Sequence, residues 1–518
     1  MPPARLPEIE RAAVGLCGRS GPDAIVTEAR IAQPTAALRR GPVLAACMMA
    51  TFMVAVEGSI VGTAMPTIVA ELGGFHLFSW VFAAYLLSQA VTVPIYGRLA
   101  DLYGRKRVFF AGAALFLVSS AACGFAWGML PLIVFRTLQG IGAGAVQPIA
   151  YTIAGDIYTP AERARVQGFL SGMFGLAAVT GPALGAFLVE RGSWPAVFWI
   201  NLPIGAAAIT MLALFLDERV ERQHRPIDFP GSLLLMIGAG ALMVALVQAR
   251  GLPGSVLVAL VVSGVLALVA LIAHERQVIE PMVPLALWGR RIIAISNLGA
   301  LTIGAMMMGV TAFLPTYVQG AMGRSAGVAG AAMSMMSISW TFSSIAAGRL
   351  MVRTSYRVAA LAGALLLVAG SATLIALEPS RGPLWAGAGA LLMGLGMGFC
   401  NTTFVVSAQA GVTWRERGAA TSSVLFMRTV GQSLGAGLFG GLLNYGLYRP
   451  GADVGDLIER LMEPGRRSAL DPAEIARLTD AIAGALHGVY LIVGLLALVA
   501  LVLPLWIPTS LSPRQPAP

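Results

Sequence analysis

The stretch Gly-Arg-Leu-Ala-Asp-Leu-Tyr-Gly-Arg-Lys-Arg, residues 97–107, joins two apolar runs of the sequence, 79–99 and 108–127. Each run has about 20 residues, the length that a helix needs to cross the hydrocarbon core of a bilayer. Because backbone groups in lipid must be hydrogen-bonded within their own segment, both runs are predicted to be helices. Gly97 and Gly104 permit a tight turn between them. The stretch is therefore predicted to be a basic loop at one membrane surface.

Apolar segments of similar length continue on both sides of this loop, fourteen in total. Their approximate limits are 43–64, 79–99, 108–127, 130–152, 166–188, 196–216, 230–249, 254–273, 292–314, 328–350, 358–377, 384–407, 419–443 and 486–507. A membrane β-barrel would need strands that alternate apolar and polar residues, and runs such as 212–216 do not alternate. We therefore predict an all-α polytopic membrane protein with 14 transmembrane helices.

The composition favours the same class of protein. Of the 518 residues, 57% are hydrophobic and 12% are charged, and the mean hydropathy is +0.78. Soluble proteins average about 25% charged residues, so a soluble enzyme, a disordered chain and a disulfide scaffold are all disfavoured. No phosphate-binding GxxxxGK[ST] motif occurs, and we expect no enzymatic activity and no cofactor. Four cysteines lie too far apart for a metal or redox motif: Cys17, Cys47, Cys123 and Cys400.

The basic residues indicate the orientation of the chain. The net charge is +10, and Arg and Lys cluster between the apolar segments, which favours membrane topology over nucleic-acid binding. The termini and the loops on their side carry 24 of the 35 basic residues, the opposite loops carry nine, and Arg136 and Arg428 lie within segments. The positive-inside rule then places both termini in the cytoplasm. We expect a multi-pass protein of the plasma membrane, namely the inner membrane of a bacterium.

The chain contains a weak internal repeat at an offset of about 250 residues. Gly-Arg-Leu at 97–99 recurs at 348–350, and Gly142 and Gly144 recur as Gly394 and Gly396. Parallel halves around an in-membrane site are typical of transporters. The predicted organisation is a cytosolic tail 1–42, a six-helix half 43–216, a linker with two extra helices 217–291, a six-helix half 292–507 and a cytosolic tail 508–518. Helical spacing at 457–463 and 473–482 predicts an amphipathic hairpin within an outer loop, 444–485.

Several motifs resemble those of the major facilitator superfamily, in particular its 14-helix drug:proton antiporter branch. The loop 97–107 matches the superfamily signature between the second and third helices. One departure from the branch lies in the first helix, where the branch usually has Asp and this chain has Glu57. The further similarities are a helix-1 motif at 57–66, a helix-4 motif at 136–142, a helix-5 motif at 181–185 and the start of helix 6 at 198–205. The resemblance implies a major facilitator fold with two inserted helices, acting as a monomer that exports small molecules by alternating access.

Glu57 is the only carboxylate well inside a predicted span. Burying a charge there costs about 2.5–3.5 kcal/mol on insertion scales. Burial favours the neutral carboxyl and a nearby cation favours the carboxylate. When these two effects balance, the carboxyl group can take up and release a proton near neutral pH. Glu57 lies roughly 10 Å and Arg136 roughly 9 Å from the outer surface, so the two side chains can pair. We predict that Glu57 carries a coupled proton and that Arg136 tunes it. The alternatives are a structural ion pair and, for Arg136, contacts with carbonyls or an anionic substrate.

The loop 97–107 is predicted to be a conformational latch, formed by Gly97, Arg98, Asp101, Gly104, Arg105, Lys106 and Arg107. Asp101 is suited to interact with a helix N-terminus, or with an arginine, in the opposite half. In the resembling family this latch favours the outward-facing state. Plain positive-inside topology is the alternative, and it explains the basic residues but not Asp101 or Gly104.

Two further sets of residues are predicted to be functional. Gly181, Pro182 and Gly185 form a hinge or a tight seal between the halves, with ordinary small-residue contacts as the alternative. Methionine adapts its shape and suits a promiscuous pocket, although it more often belongs to a core or a lipid-facing surface. The weaker candidates for a substrate cavity are Tyr85, Gln139, Asn297, Met307, Trp340, Asn401 and Arg428.

The sequence favours a transporter of the multidrug-efflux type, in which inward proton flow drives the export of a small lipophilic or amphiphilic compound. One alternative keeps the fold and exports a self-made metabolite, lipid or siderophore. A second is a non-transporting membrane sensor or assembly protein, which predicts that Glu57 can be neutralised without loss. The expected partners are a small-molecule substrate, protons and the lipid bilayer, with no nucleic acid.

Overall fold

A computed structural model describes residues 40–158, 160–218, 228–247, 252–278, 285–413, 416–447 and 471–507. Within these ranges every regular element is a helix. The long helices are α1 (Arg40–Leu72), α2 (Phe78–Tyr103), α3 (Arg105–Gly124), α4 (Met129–Ile157), α5 (Pro160–Arg191), α6 (Asn201–Phe215), α7 (Phe229–Val247), α8 (Gly254–Glu275), α9 (Arg291–Thr311), α10 (Ala326–Arg353), α11 (Tyr356–Ile375), α12 (Pro383–Ala410), α13 (Arg417–Leu447) and α14 (Pro472–Val502).

Each of the fourteen predicted apolar segments coincides with one of these helices, which confirms the predicted all-α membrane fold. Across the described ranges, twelve helices are long and apolar enough to cross a membrane by length and composition. The other two long helices, α10 and α13, are 28 and 31 residues long and richer in Ser, Thr and Gly. Short helical pieces extend the framework at Phe75–Leu77, Ala196–Trp199, Leu285–Trp288, Phe313–Thr316, Tyr317–Ala321, Pro379–Arg381 and Leu503–Trp506.

Glycines in α4 and α12 show that the two halves repeat. Gly140 and Gly144 lie against α2, and Gly142 lies between them against α3, each with no room for a Cβ atom. The same alternation occurs in α12, where α10 and α11 are the neighbours, at Gly394, Gly396 and Gly398. The structural equivalent of Gly142 is therefore Gly396. The register read from sequence, which paired Gly142 with Gly394, is wrong by two residues because the Gly-x-Gly spacing occurs twice in succession in both helices.

The halves, α1–α6 and α9–α14, share an apolar core near the end of α1 at Leu72, where Ile60 and Phe313 are fully buried. We call this the Leu72 end of the molecule and the opposite end the Tyr103 end. Hydrogen bonds between the halves also lie at the Leu72 end: Gln319 Nε2 donates to the Thr63 carbonyl (3.2 Å), the Gly327 N–H to Glu190 (2.6 Å) and Asn444 Nδ2 to the His76 carbonyl (2.8 Å). At the Tyr103 end, α1–α6 have a separate core of their own.

The two predicted extra helices are α7 and α8, and they lie beside α2 and α13. Met243 of α7 is fully buried against Gly437 of α13. Asn444 of α13 donates to the Val247 carbonyl of α7 at 3.4 Å. Leu235 of α7 shares a small core with residues of α2 and α8. The inserted pair therefore covers the seam between α2 of the first half and α13 of the second.

The predicted outer loop 444–485 is shorter in the structure. The helix α13 ends at Leu447, and α14 begins at Pro472 after Asp471, whose side chain accepts from the Ala473 N–H at 3.4 Å. The stretch 473–482 is thus the first part of α14 and not half of a separate surface hairpin, because its polar pattern continues without a break into the apolar segment. The other predicted helical stretch, 457–463, lies outside the described residues, as do most of the two predicted tails.

Candidate functional site

Glu57 of α1 and Arg136 of α4 meet inside the first half. Glu57 is 0% exposed and Arg136 is 1% exposed. Arg136 Nη1 donates to Glu57 Oε1 in a buried ion pair. The two residues lie at the same depth, as their distances along α1 and α4 predict, so the geometry allows the pairing that the sequence suggested.

Three polar side chains complete a cluster around this pair, which we call the Glu57 cluster: Glu57, Ser120, Arg136, Gln139 and Asn201. Asn201 Nδ2 donates to Glu57 Oε2 at 2.5 Å and lies 3.0 Å from Ser120 Oγ. Arg136 Nη1 donates to Gln139 Oε1 at 2.6 Å, and Gln139 Nε2 donates to Ser120 Oγ at 3.0 Å. Both oxygens of the carboxylate are thereby hydrogen-bonded, by donors on α4 and α6.

The Arg136 guanidinium has partners besides Glu57. Its Nε donates to the Val81 carbonyl of α2 at 3.2 Å. Its carbon Cζ lies 4.1 Å from the ring centroid of Tyr85 and 5.9 Å from that of Phe198. Cation–π contacts of this kind stabilise a desolvated guanidinium by about 2 kcal/mol or more. Arg136 is therefore held by α2 and by aromatic rings as well as by the carboxylate.

The predicted cavity residues fall into two groups. Tyr85, Gln139 and Asn297 are buried within helix contacts, Gln139 in the Glu57 cluster and Asn297 as a donor to Ser423 Oγ at 2.9 Å, so the structure does not place them on a cavity wall. The two amides donate to neighbouring hydroxyl groups, whereas Tyr85 contacts the Arg136 guanidinium through the face of its ring. The half-buried group consists of Met307, Trp340, Asn401 and Arg428.

Arg428 of α13 is the second arginine within the spans. Its Nε is buried and has no hydrogen-bond partner among the described residues. Helix α13 approaches α9 closely there, since a Cβ on Gly304 would overlap the Arg428 carbonyl. One turn further along, Gln432 Nε2 lies 3.2 Å from Met307 Sδ. An isolated cation at this depth costs about 2.5–3.5 kcal/mol on insertion scales unless water or an anion reaches it.

The loop between α2 and α3 turns at Gly104, whose φ of 92° is rarely adopted by other residues. The N–H groups of Arg105 and Lys106 donate to the Glu218 carboxylate at 2.6 and 2.8 Å. The Arg105 side chain forms an ion pair with Asp156. Asp156 belongs to the first half and Glu218 follows its last helix directly, so neither of these partners lies in the second half. The side chains of Arg98 and Asp101 lie outside the described part of the structure, so the predicted contact of Asp101 with the opposite half stays a prediction.

The three residues of the helix-5 motif bring α5 close to two neighbours. A Cβ on Gly181 would overlap Ser59 Oγ, and one on Gly185 would lie 2.8 Å from the Ile60 carbonyl, both on α1. The Pro182 carbonyl would lie 2.8 Å from a Cβ on Gly330 of α10, in the other half. Helix 5 is thus in close contact with α1 and α10 at the Leu72 end.

Sequence reasoning missed the roles of Ser120, Asn201 and Glu218. Asn201 belongs to the quoted helix-6 motif but was given no role, and Ser120 is one hydroxyl in an apolar run. The signal in the sequence that could have pointed to Asn201 and Ser120 is that each is a polar residue at a depth in its span similar to that of Glu57. Glu218 follows α6 directly and showed no motif of its own.

Comparisons with known proteins agree with this architecture. The family model described as Major Facilitator Superfamily matches residues 47–436. Multidrug resistance protein 3 of Bacillus subtilis (strain 168) is 33% identical over 475 residues, which cover 88% of this chain and 92% of that protein. Multidrug transporter protein MdtP of the same strain is 34% identical over 409 residues, 78% of this chain and 76% of that protein.

Solved structures show the same fold. A bacterial homologue of the human lysosomal transporter Spinster, in an inward-facing and occupied conformation, superposes with a TM-score of 0.64. The match covers 92% of this chain and 99% of that chain at 16% identity.

Proposed function

The chain belongs to the major facilitator superfamily, and from this premise we propose that it exports small lipophilic or amphiphilic compounds in exchange for protons. The names of its relatives, which describe multidrug transporters, support this class of substrate. The protein has the helices of a multi-pass membrane protein. We place it in a bacterial inner membrane as a monomer with both termini in the cytoplasm, as the distribution of basic residues favours.

The observation that carries the proposal is the burial of Glu57 among hydrogen-bond donors. Intramembrane carboxylates are costly and commonly mark proton relays. Glu57 accepts from Arg136 and Asn201 through separate oxygens, so its charged form is well solvated by the protein. Proton uptake removes this charge and changes both contacts. The cluster therefore has two electrostatic states that differ by one proton.

Asn201 is suited to bind both states of Glu57. Its Nδ2 donates to the carboxylate, and its Oδ1 has no hydrogen-bond partner among the described residues. Rotation of the amide by half a turn would present Oδ1 as an acceptor to the protonated carboxyl. Arg136 would keep Gln139, the Val81 carbonyl and the Tyr85 ring in that state.

Helix α1 connects the cluster to the contact between the halves. Gly62 lies five residues after Glu57, roughly 7.5 Å along the helix. A Cβ at Gly62 would lie 2.7 Å from the Thr311 carbonyl of α9. The neighbouring Thr63 carbonyl accepts from Gln319. We infer that the structure is inward-facing, with the halves in contact at the outer, Leu72 end, and that protonation of Glu57 loosens this contact through α1.

The test uses inside-out vesicles that contain the protein and are energised with a proton gradient. Lipophilic cations and dyes are added, and dissipation of the gradient is recorded for wild type, Glu57→Gln and Glu71→Gln. Glu71 is a matched control because it lies on the same helix and accepts a hydrogen bond from Trp194 near the surface (2.8 Å). We expect wild type and the control to respond and Glu57→Gln to be silent.

Two results would count against the proposal. An active Glu57→Gln variant would show that Glu57 is not the proton carrier and would favour another coupling group. A wild type that responds to no compound on the panel would favour a dedicated exporter of a self-made metabolite.

A further inference from the structure

Arg428 lies on the surface of the second half that faces the first half. Five residues after it, Ser433 Oγ lies 3.5 Å from the Ala83 carbonyl of α2, where the halves meet. Arg428 is thus roughly 7.5 Å from this contact, toward the Tyr103 end. Tyr151 of α4, in the first half, is close enough to interact with it electrostatically. The guanidinium therefore lies between the halves, where an inward-facing cavity would be.

Among the described residues, no carboxylate is placed to neutralise this cation. Helices α9 to α13 contain no Asp or Glu. Glu57 is occupied by Arg136 and Asn201. Asp156, at the end of α4, is occupied by Arg105. Arg428 forms no salt bridge within the described ranges, and its Nε is without a hydrogen-bond partner there. A planar guanidinium with free donors is suited to bind a carboxylate through two parallel hydrogen bonds.

The surroundings of Arg428 combine polar donors with flexible apolar surface. Gln432 follows one helical turn later, and within the described ranges its Nε2 donates to the weak acceptor Met307 Sδ, at 3.2 Å. An amide in such a contact gains by donating to an oxygen instead. Met307 is half-buried, and its thioether is flexible and polarisable. A ligand that fits this site would have an anionic oxygen near Arg428 and a lipophilic body.

We propose that Arg428, assisted by Gln432, binds the anionic group of an amphiphilic substrate, such as a carboxylate on a lipophilic chain. This inference rests on the proposed export function and names the substrate class of the same transporter. The proton site and the anion site are separate: Glu57 is fully enclosed in the first half, and Arg428 is half-buried in the second. Each can therefore be altered without removing the other.

The test measures binding of 11-(dansylamino)undecanoate and its methyl ester to the purified full-length protein by dansyl fluorescence. The two probes differ only at the end of the chain, which is an anionic carboxylate in one and a neutral methyl ester in the other. We expect wild type to bind the carboxylate at least about tenfold more tightly than the ester, the usual effect of a hydrogen bond to a charged group. Arg428→Gln should remove this preference and Arg428→Lys should retain part of it. The exposed Arg353→Gln should leave it unchanged.

A wild type that binds the ester as tightly as the acid, or binds neither probe, would overturn the proposal. So would an undiminished preference in Arg428→Gln. If that variant does not fold, the acid-to-ester ratio of wild type and of Arg428→Lys decides. The two proposals fail separately: Glu57→Gln should keep the acid preference while it loses gradient-driven transport. Acid preference without proton-driven transport would refute only the coupling, and proton-driven transport without acid preference would refute only the anion site.

Discussion

Glu57 and Arg136 are buried together in the first half as an ion pair, and each side chain neutralises the charge of the other. Removing one partner leaves a buried charge, which costs about 3–5 kcal/mol, whereas replacing both with apolar residues is often neutral. We predict that Arg136→Met lowers the free energy of unfolding by about this amount. The double variant Glu57→Leu/Arg136→Met should be closer to wild type in stability and inactive in transport. Unfolding by denaturant in detergent measures the first effect, and additive losses in the double variant would contradict it.

Glu416, a carboxylate outside the spans, has a perturbed pKa. The side-chain hydrogen bonds from Arg290, at 2.8 and 2.9 Å, hold its pKa below the usual range, and the Thr413 N–H and hydroxyl act in the same direction. A carboxyl group with a lowered pKa stabilises the fold at pH values above its usual pKa. This stabilisation is lost as the pH falls through the lowered pKa.

The prediction is a local loosening of the α12–α13 loop in acid. The protection factor of the amides around Thr413, which compares the observed exchange rate with the intrinsic rate at the same pH, should stay constant from about pH 5 to 8 and fall below about pH 4. In Arg290→Gln the fall should begin at higher pH. A change in the protection factor between about pH 6 and 8 in wild type would refute this assignment.

The sequence was sufficient to find the charged pair but not its neighbours. A carboxylate and an arginine inside apolar runs are conspicuous, and counting residues from the span ends placed them at one depth. Asn201 and Ser120 are neutral, and their one signal, a span depth similar to that of Glu57, does not by itself separate them from the many polar residues that simply satisfy a helix backbone. Arg428 was visible for the same reason as Arg136, and the sequence also shows that α9 to α13 contain no acidic residue to pair with it. The structure adds that its Nε has no hydrogen-bond partner among the described residues.

At the scale of helices, α1 carries two glycines one turn apart with different surroundings. Gly58 has open space around it, whereas a Cβ on Gly62 would lie 2.7 Å from the Thr311 backbone. We predict that Gly62→Ala separates α1 from α9 at a cost of about 1–3 kcal/mol. Gly58→Ala should be neutral or stabilising, since alanine favours helix by about 0.5–1 kcal/mol.

The distance between spin labels at the exposed Arg191 and Arg324 reports this change at the Leu72 end. Gly62→Ala should lengthen and broaden the distance distribution, and Gly58→Ala should leave it as in wild type. An unchanged distribution in Gly62→Ala would show that this contact does not hold the halves together.

Helix positions were largely predictable because an apolar run long enough to span a bilayer has few alternatives. The failures have a common cause. The polar start of α14 was read as a surface helix, and the glycine register was displaced by two residues, because local composition does not reveal which neighbour a helix face meets. Gly142 and Gly144 look alike in sequence, although one lies against α3 and the other against α2.

For the whole molecule, the proposed exchange moves charge across the membrane. One proton entering moves one charge, worth about 2.3 kcal/mol per 100 mV. If the exported compound is an anion, its exit adds a second charge in the same electrical direction, for about 4.6 kcal/mol per 100 mV.

We therefore predict that a membrane potential alone drives transport and drives the dansyl carboxylate more strongly than its ester. Accumulation in proteoliposomes with potassium-diffusion potentials and equal pH on both sides measures this dependence. Uptake that is insensitive to potential would refute net charge movement.

The seam covered by α7 makes the molecule asymmetric in the membrane plane, although its halves repeat. Lipid can approach the groove between α5 and α10. The corresponding groove between α2 and α13 is covered by α7, so lipid can enter it only by displacing that helix. When the halves rock, α13 must slide along α7, where Gly437 faces the flexible thioether of Met243, Gly441 lies against the Leu246 backbone and Asn444 donates to the Val247 carbonyl. Such sliding exchanges one hydrogen bond and displaces few large side chains, so changes in bilayer composition should act on the motion mainly from the opposite flank.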